Sequence, residues 1–429
     1  METDREVDAA SLAAFRALFG LLMAGAAVRF WAKGWIGALY VEPAFHFTYW
    51  GFDWIRPLPG WGMYAVFAGL IVTALAVALG LLYRWAIALF FVLFTYVELL
   101  DQATYLNHYY LVSLLALLMC FMPLGRSFSV DARGQGALRA PRWCLWTLRA
   151  QLGLVYVFAG VAKLNADWLI EAEPLSTWLA ARSDLPGLGA LASIDGFAHL
   201  MSWGGAVFDL AVPLALLHRR TRPFAYAGVV GFHLVTGAMF QLGMFPWIMA
   251  LLTPIFFSPS WPRRLWTSLP RGAPRPSRTL PRWGAWALAG WFAIQLALPL
   301  RHHAYPGQLL WTEEGLRWSW HVMIVEKSGH LELTARDRAT GERWPIDPSE
   351  DLTFAQRRMM ATSPDMLLRY AAHVRERWAA RGRDVAVHAD AWVAMNGRRS
   401  APLVDPEIDL AAQPDDLAPR AWVTRRPAP

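Results

Sequence analysis

Charged side chains and cysteines are both scarce in this 429-residue sequence: only 17% of its residues are Asp, Glu, Lys or Arg, and its two cysteines are Cys120 and Cys144. So low a charge content excludes a long solvated, disordered chain. Two thiols placed either side of one basic loop exclude a disulfide framework and are expected to be free. The spacings that announce common chemistries are also missing. There is no GxSxG elbow, Walker loop or dinucleotide fingerprint, which leaves ordinary hydrolase and nucleotide chemistry without support. No HxxxH, CxxC or ExxH spacing gathers Asp101, His108 and His233, and the adjacent His302 and His303 point in different directions, so no metal is expected. The acidic start METDREVD lacks the basic region of a cleavable signal peptide, so the first helix is expected to be an uncleaved anchor.

What is abundant is apolar surface. The chain is 56% hydrophobic, has 24 tryptophans and a mean hydropathy of +0.28, the composition of a polytopic α-helical membrane protein. Apolar runs predict nine helical spans, at about 10–30, 63–82, 85–100, 107–123, 143–163, 198–217, 223–240, 245–258 and 282–300, against the roughly 20 residues a bilayer requires. The formal charge of +7 does not point to nucleic acid, because the arginines lie in alternate short loops. One set of loops holds Arg84, then Arg126, Arg133, Arg139 and Arg142, then Arg219, Arg220 and Arg222, then Arg263, Arg264, Arg271, Arg275 and Arg278; the other holds little beyond Lys33, Arg56 and Arg182. This asymmetry predicts a cell (inner) membrane protein with a cytoplasmic N-terminus.

Two outer loops are long. The stretch 31–62 is rich in Trp, Phe, Tyr and Pro, suiting an interfacial or re-entrant segment, with Asp53 and Arg56 expected to form a salt bridge. The stretch 164–197 carries Asp167, Glu171, Glu173, Asp184 and Asp195, and both loops are expected to roof the outer face. Beyond residue 300 the periodicity changes. RWSWHVMIVEK and HLELTARDR alternate like strands, SPDMLLRYAAHVRERWAARG is an amphipathic helix, and DVAVHADAWVAMN is another strand. The expected organisation is a membrane helical domain at 1–300 and an extracytoplasmic α+β domain at 301–429, and the Pro/Arg-rich cytoplasmic loop LPRGAPRPSRTLPR within the first reads as a linker.

Ionisable groups inside spans are costly and therefore functional suspects. They are Asp101, Asn107 and His108 in ELLDQATYLNHYYL, Lys163 in VFAGVAKLNADWL, Asp209 in AVFDLAVPL, and His233 in VVGFHLVTGAMF. Asp101, Asn107, His108 and Lys163 fall at the outer boundary and could converge. Each also has a structural alternative: Lys163 can snorkel to the headgroups, His108 can cap its helix, and Asp209 and His233 can form a structural polar pair. Burial in low dielectric disfavours a charged lysine, which would make Lys163 a general base.

FAGVAKLNADW, LDQATYLNHYYL, GFHLVTGAMFQLGMFPW, RHHAYPGQLLWTEEGLRWSW and NGRRSAPLVDPEIDL, in unbroken order from about residue 10 to 422, together resemble the vitamin K-dependent γ-glutamyl carboxylases and their bacterial homologues. The resemblance implies a membrane enzyme that oxygenates reduced vitamin K, phylloquinol or menaquinol, with O2 to the epoxide. It also implies coupling of that oxidation to γ-proton removal from a peptidyl glutamate and addition of CO2. Lys163 matches the catalytic lysine, His108 and Asn107 would contact the quinol oxygens or the substrate carboxylate, and His233, Met244 and Phe245 would line the quinone pocket. Trp320, Arg357, Arg358 and Arg398 are candidates for holding the glutamate carboxylate. Ala162 stands where animal members have a second lysine. The expected partners are the lipid bilayer and a glutamate-containing peptide or protein. Two other readings stay open: a quinol epoxidase that does not carboxylate glutamate, and a non-enzymatic receptor or transporter.

Overall fold

The computed structural model describes residues 6–133, 139–182, 184, 188–240, 242–265 and 280–426. Helices occupy all nine expected stretches: Ala10–Ala32, Trp61–Leu79, Tyr83–Leu99, Asn107–Phe121, Arg142–Ala162, Phe197–Leu217, Arg222–Met239, Phe245–Leu252 and Arg282–Leu300. Their lengths do not confirm the expected count of nine spans. Among the described residues five helices, those beginning at Ala10, Trp61, Arg142, Phe197 and Arg282, are long and apolar enough to cross a membrane. The Asn107–Phe121 and Phe245–Leu252 helices have 15 and 8 residues, short of the roughly 20 needed to span a bilayer. Cys120 and Cys144 are free thiols. Residues 269–279 of the Pro/Arg-rich linker lie outside the described residues.

Two arginines are buried in the bundle, where a guanidinium must find acceptors for its donors. Arg16 donates to the carbonyls of Leu124 (3.0 Å), Ser127 (3.3 Å), Ala78 (3.3 Å) and Phe128 (2.7 Å), fastening the first helix to the ends of its neighbours. Arg149 does the same for Ile255 (2.9 Å), Phe256 (3.2 Å) and Phe257 (2.9 Å). Replacing Arg16 with methionine keeps the apolar stem and strands these carbonyls. The expected loss is roughly 2–3 kcal/mol, read as a lower thermal midpoint in detergent. A short antiparallel pairing of Glu6–Asp8 with Arg139–Pro141 adds a clasp that no sequence pattern foretold.

The C-terminal region is the expected α+β unit. Its sheet runs in the order Arg343–Ile346, Lys327–Asp337, Val385–Met395, Ala401–Pro402, all antiparallel. The Pro364–Ala379 helix contributes Leu367, Leu368, Tyr370 and Val374 to a core shared with Val387 and Val393 of the sheet. One prediction fails here: RWSWHVMIVEK is not a strand until Lys327. Trp318, Trp320 and Met323 have φ of 60°, 60° and 55°, left-handed conformations incompatible with an extended ladder.

The 31–62 loop is a docking surface for this domain. Phe47 is fully buried in the outer domain's core, the amides of Ala44 and Phe45 donate to Asp351 O (3.0 and 3.2 Å), and the Gln356 side chain donates to Phe45 O (2.9 Å). Asp53 pairs with Arg369 at 2.6 Å, not with Arg56 as expected, because the outer domain's helix brings the guanidinium to it. Gln356 also donates to Asp101 Oδ2 at 2.7 Å, so Asp101 is an interdomain anchor. Its burial, only partly offset by the hydrogen bonds of Ala103 N–H and Gln356, pushes the carboxyl up to about 7.

Candidate functional site

The Arg142–Ala162 helix ends at Lys163, whose amide donates to Gly160 O at 3.1 Å. Asn165 makes the break sharp. Its amide group donates to Ala162 O (2.8 Å) while its Oδ1 accepts from Trp168 N–H (3.0 Å), ending one helix and capping the next. Trp168 is fixed in turn by a hydrogen bond from its indole to Ser202 O (2.8 Å), and its ring lies 5.3 Å from Lys163 Nζ. Gly160 is required here for close approach: a Cβ would come within 2.7 Å of the Leu210 side chain and 3.0 Å of Leu210 N. That contact seats the Phe197–Leu217 helix against the lysine's helix.

The next residue back along that helix, Asp209, therefore reaches Lys163. Lys163 Nζ donates to Asp209 Oδ2 at 2.8 Å and to Ala159 O at 3.1 Å, and each side chain is 6% exposed. Lys163 does not snorkel. The pair stands at a cavity of about 80 Å3 walled by Trp168, Trp178, Phe232, Phe240, Phe245 and Met249. A second polar pair lines the same cavity, Tyr156 OH and His233 Nε2, 3.1 Å apart. The expected Asp209–His233 partnership is thus replaced by two separate pairs, because Asp209 meets Lys163 from a neighbouring helix.

Of the sequence candidates, Lys163, Asp209, His233 and Phe245 line this cavity. The predicted convergence of Asp101, Asn107, His108 and Lys163 does not occur. His108 is buried behind Phe245, whose ring centroid is 5.9 Å from His108 and 5.5 Å from His233. Gly243, at φ 58°, turns the chain beside it: a Cβ there would lie 4.0 Å from His108 Nε2 and 3.7 Å from Arg29 Nη1. Asn107 accepts from Tyr105 OH at 3.1 Å, and neither Asn107 nor Met244 lines the cavity.

The outer-domain candidates separate as well. Trp320 is buried and stacked on Tyr110 at 4.9 Å, so it offers no surface to a peptide. Arg398 is engaged at 2.8 Å by Asp167, which also bonds Arg426 (2.7 Å) and Asn396 (2.9 Å). Arg358 is exposed and Arg357 half-buried on the Phe354–Met360 helix, away from the cavity lining. A second, polar cavity of about 150 Å3 lies between the outer domain and the bundle, with Arg301, Arg317, Arg369 and Arg420 among its walls. His321, next to the cavity residues Val322 and Met323, is held by burial, and further by His302, down to about 4 and is neutral at physiological pH.

Sequence reasoning overlooked Tyr156, Trp168 and Trp178. Tyr156 and Lys163 are seven residues apart, two helical turns, so they share a face. That spacing was a usable signal.

Residues 4–261 match the family described as the HTTM domain, so the fold is that of an HTTM-domain membrane protein. Residues 281–428 match the vitamin K-dependent gamma-carboxylase lumenal domain. The chain belongs to the vitamin K-dependent gamma-carboxylase family. No solved structure matches it.

Proposed function

We propose that this protein oxygenates a reduced naphthoquinone, vitamin K hydroquinone or menaquinol, and couples that oxidation to γ-carboxylation of a peptidyl glutamate with CO2. The observation that carries the reading is Lys163 Nζ, buried at the edge of an aromatic-walled cavity. The donor set fits a naphthoquinol. Flat apolar walls suit the ring, and polar atoms come chiefly from two pairs, Lys163–Asp209 and Tyr156–His233, as a ring with two hydroxyls requires. When bound, the quinol supplies with O2 a basicity that no side chain has, since a lysine cannot remove an unactivated proton alpha to a carboxylate. The protein's own work is narrower: Lys163 takes a hydroxyl proton, Tyr156 and His233 orient the ring, and the apolar wall excludes water.

The glutamyl peptide is assigned to the polar cavity under the outer domain. Of its wall arginines, Arg317 and Arg420 are paired with Asp365 and Arg369 with Asp415 (2.8 Å), while the Arg301 guanidinium rests on the carbonyls of Leu298 (2.8 Å) and Arg317; Arg301 is the fork that would turn to a substrate carboxylate. In this reading the N-terminus is cytoplasmic and the outer domain extracytoplasmic. The assay incubates the detergent-solubilised protein with menaquinol or vitamin K hydroquinone, O2, labelled bicarbonate and a short Glu-rich peptide. Epoxide together with labelled peptide is expected. Epoxide without label selects a quinol epoxidase, and neither product selects a receptor or transporter.

A further inference from the structure

We infer that the base of this site is the Lys163–Asp209 pair acting as one unit, with Asp209 receiving the proton Lys163 already holds so that the freed amine can take one from a bound hydroxyl. The argument starts from the contact at rest. A lysine 2.8 Å from a carboxylate, with both side chains 6% exposed, is a compensated ion pair, because two separate charges there would go unsolvated. A lysine already holding its proton has no lone pair to offer. The acceptor capacity of the pair lies on Asp209.

The step balances as follows. The ammonium of Lys163 passes one proton to Asp209, giving a neutral amine beside a carboxylic acid. The amine then takes the hydroxyl proton, breaking O–H and forming N–H. Afterwards Lys163 is an ammonium again, Asp209 is a neutral acid, and the ligand oxygen carries the negative charge. Two protons sit on the pair where one sat before. The cavity is electrically neutral before and after, the ammonium having exchanged one anionic partner for another. In low dielectric this exchange avoids the uncompensated charge that a lone aspartate or a lone lysine would incur. The other titratable side chains around the cavity are Tyr156 and His233, already bonded to each other at 3.1 Å, and His321, bonded at 2.7 Å to Ser319, so neither histidine replaces Asp209 as partner.

The inference rests on the proposed function only in taking the hydroxyl donor to be a quinol. The test is infrared difference spectroscopy of the full-length protein in detergent, with and without menaquinol and without O2. Wild type should gain a carboxylic-acid C=O band that is absent from Asp209→Asn and retained, shifted, in Asp209→Glu. No such band in wild type, or the same band in Asp209→Asn, overturns the inference. If Asp209→Asn does not fold, the Asp209→Glu band decides: an unshifted band belongs to another carboxyl and overturns the inference. Epoxide formation under O2 is read separately. A band without epoxide refutes the proposed reaction and leaves the pair standing, whereas epoxide without a band refutes the pair.

Under turnover the acid limb of kcat/KM for epoxide formation gives a second readout. Asp209→Asn removes the carboxylate that receives Lys163's proton, so the group whose protonation stops the reaction changes from a carboxylate to the amine itself. The limb should therefore move to higher pH. A uniform drop with an unmoved limb indicates a merely structural carboxylate and overturns the inference.

Discussion

A Lys163→Ala variant is expected to lose epoxide formation by about 10²–10⁴-fold, the usual contribution of a positioned proton acceptor. The loss should fall on kcat more than KM, because the aromatic walls that would hold the ring do not depend on the lysine. Substitution also leaves the 6%-exposed Asp209 side chain without its 2.8 Å partner, so the carboxyl should take up a proton and the fold should survive. The truncated side chain leaves room beside Asp209, and a small amine such as methylamine should restore part of the activity. A larger amine, excluded by the Trp168 and Phe240 walls, should not. Full epoxidation by Lys163→Ala would remove the lysine from the mechanism.

The sequence made Lys163 legible and its surroundings much less so. The apolar runs fixed where all nine helices fall, since burial in lipid or in a bundle demands the same apolar continuity. Whether each run spans was not legible, because a helix as short as Phe245–Leu252 reads as apolar as a true span. The outer domain's helix and its longest strands follow from period alone. RWSWHVMIVEK misled because its alternation is that of a strand, while left-handed residues at Trp318, Trp320 and Met323 fold it into turns around the bundle mouth. The partner of Lys163 was hidden for another reason. Asp209 is 46 residues away and reaches the lysine only through the close helix contact at Gly160. Nothing in either segment's periodicity specifies that packing. The motif-based candidates were mixed for the same reason: His233 and Phe245 share the lysine's cavity, whereas His108 stands behind Phe245.

Asp167→Ala should be the most destabilising single change in the lysine's own loop. Asp167 sits four residues after Lys163 and beside Trp168, and its carboxylate gathers Arg398, Arg426 and Asn396 from the outer domain at 2.7–2.9 Å. The side chains of Asp167, Arg398 and Arg426 are 7%, 16% and 14% exposed, so removing the carboxylate leaves two guanidinium groups close together and poorly solvated. Breaking a buried pair from one side costs about 3–5 kcal/mol. The expected readouts are a lower thermal midpoint and faster proteolysis of the outer domain. Epoxidation should fall too, since Trp168 next door forms the cavity wall against Lys163. The same contact fixes a pH dependence. Burial alone would push Asp167 up, but the hydrogen bonds of Arg398 and Asn396 and the charges of Arg426 and Arg398 outweigh it and hold the carboxyl below its usual range. A depressed carboxylate stabilises the fold fully above its unfolded value, about 3.9. That contribution is lost as the pH falls further, through the folded value. Acidification below about pH 4 should therefore loosen the wild-type outer domain progressively, and Asp167→Ala should show a flatter stability profile across the same window. Equal acid sensitivity in the two proteins would place the stabilising contact elsewhere.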